Sequence, residues 1–422
     1  MYDRDTMTVF FSRGWRVLLG GFRAAVVSAM FAAPAVADPA LESRVPDLQL
    51  ETLRREGAGY VVTAEDGGRV VLTLDPRLQE PIEDVLRGFQ IPYAGAVVVS
   101  IPDGRVLAMV GRSAAEPRLG PRELALSAWA PAASVFKVVS AAALVSEGGV
   151  SSATKICYHG GVSAILPDNL VDLPDVDRRC ETLAYGLGKS QNAILAKLAS
   201  RHLTAAQLAR VGHAFGFEET IPFDVPVEPS HLDVPADALE FARTAAGFWH
   251  STLSPMHGAL LAAAIANHGE MPAPTLVERA FDAQGREVAV PVASGPRRVV
   301  GLDTAREVGR MMELTTRIGT ARVAFHDRRG HRYLPVDVAG KTGTLSAQTV
   351  HGYLGYSWFV GYAPADRPAI AFAVALGNPA QWRIKATYVA RRIVAEHLAE
   401  QAPRRTPIER PATAAPRVLA TR

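Results

Sequence analysis

Cysteine is nearly absent: Cys157 and Cys180 are the only two in 422 residues. Two thiols are too few for a cysteine-based zinc centre, and no His-Glu-x-x-His stretch offers a substitute, so no metal is expected. An excess of one charge is also missing. The 45 basic and 42 acidic residues leave a formal net charge of +3, and no compact basic stripe is interleaved with aromatics, which argues against nucleic acid as a partner. Arginines gather only near the end (Arg404, Arg405, Arg410, Arg417, Arg422), among prolines and alanines. That composition reads as a disordered basic tail over 401–422. A long unbroken apolar run is lacking too, because Val17 to Ala33 is interrupted by Arg23, which disfavours a stable membrane span. There is no internal repeat.

What is present starts with 48% hydrophobic residues, enough to bury a large core in one large domain or two medium ones. Arg13 and Arg16 precede the apolar run, and Ala35-Val36-Ala37 follows it, ahead of Asp38. Basic region, apolar region and small-residue site together describe a secretory signal peptide over 1–37, with cleavage favoured over retention as an anchor. The expected location is therefore periplasmic or otherwise extracytoplasmic. In an exported protein the pair Cys157 and Cys180 is expected to form a disulfide, closing a loop of roughly two dozen residues and stabilising by about 3 kcal/mol in the chain-entropy model.

Residues 38–68 give no clear element beyond Tyr60-Val61-Val62. Arg69 to Leu74 reads as a strand, and Asp75-Pro76 opens a helix through Leu78, Ile82, Val85 and Leu86. Two β-rich runs, Ala94 to Ser100 and Arg105 to Val110, flank Asp103-Gly104 as a hairpin. From Val150 to about Val300 the pattern is mostly helical: Leu183 to Leu203, interrupted early by Gly186 and Gly188; Leu208 to Phe215; and Met256 to Asn267, apolar on nearly every side and so expected to be buried. Asp303 to Ile318 forms a further helix, with Asp303 or Thr304 as its cap. Strands return at Pro335 to Gly340, Gly355 to Tyr362 and Ile370 to Leu376, before a closing amphipathic helix from Tyr388 to Ala399. The economical architecture is one sheet built from both ends of the chain, with the central helices as a subdomain.

Three short stretches carry chemistry. In Pro131-Ala132-Ala133-Ser134-Val135-Phe136-Lys137, a loop runs into a dense apolar helix, and Lys137 lies three residues after Ser134, on the same helical face. A serine hydroxyl becomes a nucleophile when a base removes its proton. A lysine can be that base if burial or a second cation lowers its pKa. In Lys189-Ser190-Gln191-Asn192 the serine and asparagine would diverge on a regular helix, and share a cleft only at a connection or first turn. Gly340-Lys341-Thr342-Gly343-Thr344 follows an apolar strand. A lysine, two hydroxyls and a glycine on an edge strand would cradle a carboxylate.

Each stretch alone has a bland explanation; their order does not. Ser-x-x-Lys, Ser-x-Asn and Lys-Thr-Gly in succession are the set of class A β-lactamases and penicillin-binding proteins. The chain resembles the penicillin-binding protein transpeptidase family from roughly Val70 to Leu398. The likeness extends to Val71-Leu72-Thr73-Leu74-Asp75, to Ser254-Pro255-Met256 and to Ser357-Trp358-Phe359-Val360-Gly361-Tyr362. The resemblance implies an α/β (α+β) fold: a five-stranded, mostly antiparallel sheet flanked by helices, with a helical subdomain, over 69–400. It implies that Ser134 attacks a D-Ala-D-Ala bond, that Lys137 takes its proton, and that Ser190 relays a proton to the leaving amine beside Lys341. Asn192 would bind the substrate amide and position Lys137. Thr342, Gly343 and Thr344 would receive the terminal carboxylate, and the N–H groups of Ser134 and Thr344 would form the oxyanion hole. No cofactor is implied. The implied partners are peptidoglycan stem peptides, β-lactam antibiotics and other cell-wall synthesis proteins.

Two stretches depart from the family pattern. Pro131-Ala132-Ala133 stands where many relatives have Pro-Gly-Ser, and Gly247-Phe248-Trp249-His250 replaces a glycine-rich turn. His326 and His331 flank a charged turn, and His250, His257 and His268 read as structural. Trp129 and Trp358 fit either the cleft or the core. Besides a D,D-transpeptidase, the same fold admits a D,D-carboxypeptidase, a β-lactamase or a non-catalytic peptidoglycan-binding scaffold. Asn192 argues against the class D β-lactamase pattern, no acidic partner for a class A deacylation water stands out, and the intact polar residues argue against a decayed site.

Overall fold

The computed structural model describes residues 48–290, 294–349 and 352–401. The expected signal peptide at 1–37, and all but the first residue of the tail expected at 401–422, lie outside the described residues.

The central sheet is built from the two ends of the chain. Its strands are β4 (Tyr93–Ser100), β5 (Val106–Arg112), β10 (Ala339–Thr349), β11 (Gly352–Ala363) and β12 (Ile370–Asn378), in the order β10-β11-β12-β4-β5 with every pair antiparallel. Every residue of β12, and every residue of β4 except Tyr93, is buried. Such continuous apolar strands are expected where helices cover both faces. On one face lie α2 (Lys137–Ser146) and α7 (Pro255–Ala266), within the larger core. On the other, α1 (Pro76–Gly88) and α9 (Ala386–Gln401) enclose a second core around Ile82, Phe372 and Ile393. Asp75 caps α1 by accepting from the Arg77 N–H, as its position ahead of Pro76 suggests. All 12 residues of α7 are buried, in keeping with its lack of a polar face.

The structure corrects five readings; one is the strand expected at Pro335 to Gly340, which begins only at Ala339 and runs to Thr349, with Lys341, Thr342 and Gly343 inside it. Residues 48–64 are not featureless. Strands β1 (Leu48–Glu56) and β2 (Gly59–Ala64) pair with β3 (Arg69–Leu72), and β8 (Val277–Phe281) and β9 (Glu287–Val288) complete a second five-stranded sheet. The outer strands of this ribbon, β1 and β9, bury few positions and carry arginines and glutamates that mask a β pattern. The stretch from Val150 to Val300 is accordingly not helical throughout. It also holds β6 (Lys155–Tyr158) and β7 (Arg179–Thr182), paired in register at Cys157 and Cys180, which form a disulfide. The helix expected over Leu183 to Leu203 is two helices, α3 (Leu183–Gly188) and α4 (Asn192–His202), because Ser190 adopts a left-handed φ of 56°. Helix α8 (Leu302–Arg317) starts one residue earlier than read, with Gly301 as its cap, so Asp303 sits in the first turn, where its charge meets the positive end of the helix. The remaining helices of the subdomain include α5 (Ala205–Ala214) and α6 (Ala238–Ala245). Among the described residues no helix is long and apolar enough to cross a membrane.

Candidate active site

A single turn of 3-10 helix, Ala133–Val135, carries Ser134 and hands the chain to α2 at Lys137. The approach is fixed from two sides. Ala132 N–H donates to the Ser251 carbonyl at 3.0 Å, and the buried Trp358 indole N–H donates to the Pro131 carbonyl at 2.9 Å. Ala133 takes a φ of 51°, a conformation that costs a non-glycine residue of order 1 kcal/mol and is held by its surroundings. The edge strand β10 lies directly against this turn. A Cβ on Gly343 would stand 2.9 Å from the Trp358 Cβ, 3.2 Å from Val135 Cγ2 and 3.3 Å from the Ala132 carbonyl oxygen. Glycine is the residue that permits so close an approach.

Lys137 is fully buried. Its Nζ lies 2.7 Å from Ser134 Oγ, 2.8 Å from Asn192 Oδ1 and 2.6 Å from the Ala246 carbonyl oxygen. Burial, followed by the nearby Lys341 cation, holds its pKa well below the ordinary lysine value. A neutral amine has two N–H donors and one lone pair. The Asn192 and Ala246 oxygens can only accept, so they take both donors and leave the lone pair facing the Ser134 hydroxyl. That is the arrangement a general base needs.

Lys341, also buried, lies 2.8 Å from Ser190 Oγ and donates to the Thr342 carbonyl at 2.9 Å. Burial lowers its pKa to about 7. The break between α3 and α4 brings Ser190 to Lys341 while Asn192 reaches Lys137, so the two polar clusters meet at one cleft. The Thr342 hydroxyl shares a hydrogen bond of 2.6 Å with Thr320, and Thr344 is exposed two residues further along the same strand.

Residues 94–399 match the penicillin-binding protein transpeptidase domain. The chain belongs to the penicillin-binding protein transpeptidase family. It is 28% identical over 353 residues to the peptidoglycan D,D-transpeptidase PbpA of Mycobacterium tuberculosis, covering 76% of this chain and 69% of that protein. It is 25% identical over 336 residues to stage V sporulation protein D of Bacillus subtilis, covering 75% of this chain and 50% of that one. The fold is shared with the imipenem acyl-enzyme complex of penicillin-binding protein A from M. tuberculosis, at a TM-score of 0.63 and 24% identity over 79% of this chain and 80% of that one. It is also shared with the transpeptidase domain of penicillin-binding protein 3 from Burkholderia pseudomallei, at a TM-score of 0.62 and 21% identity over 78% and 96%.

The structure thus brings Ser134, Lys137, Ser190, Asn192 and Lys341 together, with Thr342, Gly343 and Thr344 along the adjoining strand. Trp358 belongs to the core and braces the turn that carries Ser134, whereas half-buried Trp129 packs between Tyr93 and Tyr356. His257 is buried and donates from Nε2 to the Phe215 carbonyl; its desolvation lowers its pKa to about 4, which keeps it neutral. His331 pairs with Asp327, and no cluster of metal-ligating side chains occurs among the described residues. Sequence reading missed the Ala246 carbonyl and Thr320. The first is a backbone group, available at any residue, and the second is a lone threonine in a turn, so neither has a signature.

Proposed function

We propose that this chain is an exported serine D,D-transpeptidase that cross-links peptidoglycan and is acylated at Ser134, both by stem peptides ending in D-Ala-D-Ala and by β-lactams. The observation that carries the proposal is the placement of the Lys137 amine between two obligate acceptors and the Ser134 hydroxyl. Ser134 Oγ attacks the carbonyl carbon of the penultimate D-Ala as its proton passes to Lys137. The oxygen that gains charge is received by the N–H groups of Ser134 and Thr344. Collapse of the tetrahedral intermediate breaks the C–N bond; Ser190, held by Lys341, gives its proton to the departing amine and takes up the one that Lys137 received, so both return to their starting forms. Lys341, Thr342 and Thr344 bind the terminal carboxylate, while Asn192 holds Lys137 and the substrate amide. The acyl group then passes to an acceptor amine. The catalytic domain is proposed to span 69–400, after a cleaved leader at 1–37 and a short segment at 38–68, and to act outside the cytoplasm in company with other cell-wall synthesis proteins.

Fluorescent penicillin tests this reading. The expected result is a long-lived covalent adduct that disappears in Ser134→Ala. Rapid turnover of the adduct would indicate a β-lactamase, and no adduct at any concentration would indicate a non-catalytic scaffold.

A further inference from the structure

The loop closed by the Cys157–Cys180 disulfide reaches the site through one backbone group. The Asn192 side chain has two ends. Its Oδ1 accepts from Lys137 at 2.8 Å, and its Nδ2 donates to the Val162 carbonyl at 3.0 Å. An amide can rotate by half a turn, exchanging these ends at almost no steric cost. In the rotated form Nδ2 would face Lys137, and its N–H would occupy the lone pair that Ser134 needs. Lys137 can satisfy either end of the amide, because it both donates and accepts. The Val162 carbonyl only accepts, so it alone fixes the direction of Asn192.

The remainder of the loop is built to hold that carbonyl in place. Gly161, at a φ of 70°, lies against the start of α4; a Cβ there would be 2.6 Å from the Ala193 Cβ and 2.9 Å from its nitrogen. Arg243 donates twice to the Ile165 carbonyl, at 3.1 and 3.0 Å. Buried Lys197, on α4, bonds Asp177 at 2.6 Å and the Cys157 carbonyl at 3.0 Å, and Asp177 also bonds His159 at 2.6 Å. Both ends of the loop are therefore tied to the helix that begins with Asn192. We infer that the loop over 158–179 is a positioning element for acylation: through the Val162 carbonyl it sets the amide of Asn192, and through Asn192 it keeps the Lys137 lone pair on Ser134. This rests on the reading of Ser134 and Lys137 as nucleophile and base.

The charged group acting on Lys137 is Lys341, on β10; its hydrogen-bonding neighbours Ser134, Asn192 and the Ala246 carbonyl are neutral. A change in the acid limb of acylation therefore reports on the Asn192 contact. The test is the rate of adduct formation with fluorescent penicillin against pH, on the full chain. Gly161→Ala is expected to slow acylation about tenfold at neutral pH, the worth of one hydrogen bond, and to move the acid limb downward, because an N–H in place of the Asn192 oxygen disfavours protonated Lys137. In an Asn192→Ala background it should have no further effect. Gly57→Ala imposes a similar left-handed strain at a φ of 61° with no atoms within 4 Å, and should leave the limb unmoved. If Gly161→Ala fails to fold, Arg243→Met, which frees the Ile165 carbonyl, should shift the limb in the same direction by less. An unmoved limb, or losses that add to those of Asn192→Ala, would overturn the inference while the adduct at Ser134 stands. A wild-type adduct that survives Ser134→Ala would overturn the underlying reading, and the inference with it.

Discussion

Replacing Lys341 by methionine should make the protein more stable and nearly inactive. In the unfolded chain this lysine titrates at its ordinary 10.5, and in the fold at about 7. At about 1.4 kcal/mol per pKa unit, holding it in the fold costs about 4–5 kcal/mol at neutral pH and below. Methionine has a similar length and no charge to desolvate. The substitution also removes the bonds to the Ser190 hydroxyl and the Thr342 carbonyl, about 1 kcal/mol each where water from the cleft can replace the amine. A net gain of about 2–3 kcal/mol remains. The pH dependence gives a sharper test. Between pH 7 and 10.5 the unfolded chain holds a proton on Lys341 that the fold does not, so stability rises with pH through that window, by about 1.4 kcal/mol per unit from this residue. Lys137, depressed in the same direction, adds a second such term wherever it is neutral in the fold. Urea unfolding at several alkaline pH values should therefore show the wild-type slope reduced by about half in Lys341→Met. Equal slopes in the two proteins would mean that Lys341 stays charged in the fold across that window, and the account of its burial would be wrong. Acylation by fluorescent penicillin should fall at least a hundredfold in the same variant, since the carboxylate loses its cation.

Wild-type acylation should decline at low pH, as Lys137 takes up a proton and ceases to be a base; the residual acylation of Lys341→Met should decline at higher pH than in the wild type, because the cation that helps depress Lys137 is gone. Thr320→Val removes the hydroxyl that bonds Thr342; it should raise the penicillin concentration for half-maximal acylation about fivefold and leave the maximal rate unchanged. Cys157→Ser with Cys180→Ser should lower the unfolding free energy by about 3 kcal/mol, as measured by urea denaturation under oxidising conditions.

Much of the site was legible because its chemistry is carried by side chains in a fixed order. Ser134, Lys137, Ser190, Asn192 and Lys341 are proposed to act through their side chains, so their identities can be read in the sequence. The central sheet was legible for a related reason. Strands such as Ile370–Asn378, buried on both faces, must be continuously apolar. The second sheet was not, because Leu48–Glu56 buries only a few positions and its charged residues look like a linker. The carbonyls of Val162 and Ala246 left no trace, since a backbone oxygen is the same at every residue and only the fold decides where it points.

That division also explains the break between α3 and α4. Successive helical residues turn by about 100°, so Ser190 and Asn192 on a continuous helix would point about 200° apart. Only one of them could then reach a buried lysine. The left-handed φ of 56° at Ser190 costs of order 1 kcal/mol for a non-glycine residue, and glycine there would remove the strain together with the hydroxyl. The strained conformation lets one short segment serve two amines: Ser190 bonds Lys341, and Asn192 bonds Lys137. An amine buried without such partners would be far more costly than the strain. The irregularity that defeats a helical reading of Leu183 to Leu203 is thus a condition for having both lysines dry and in one cleft.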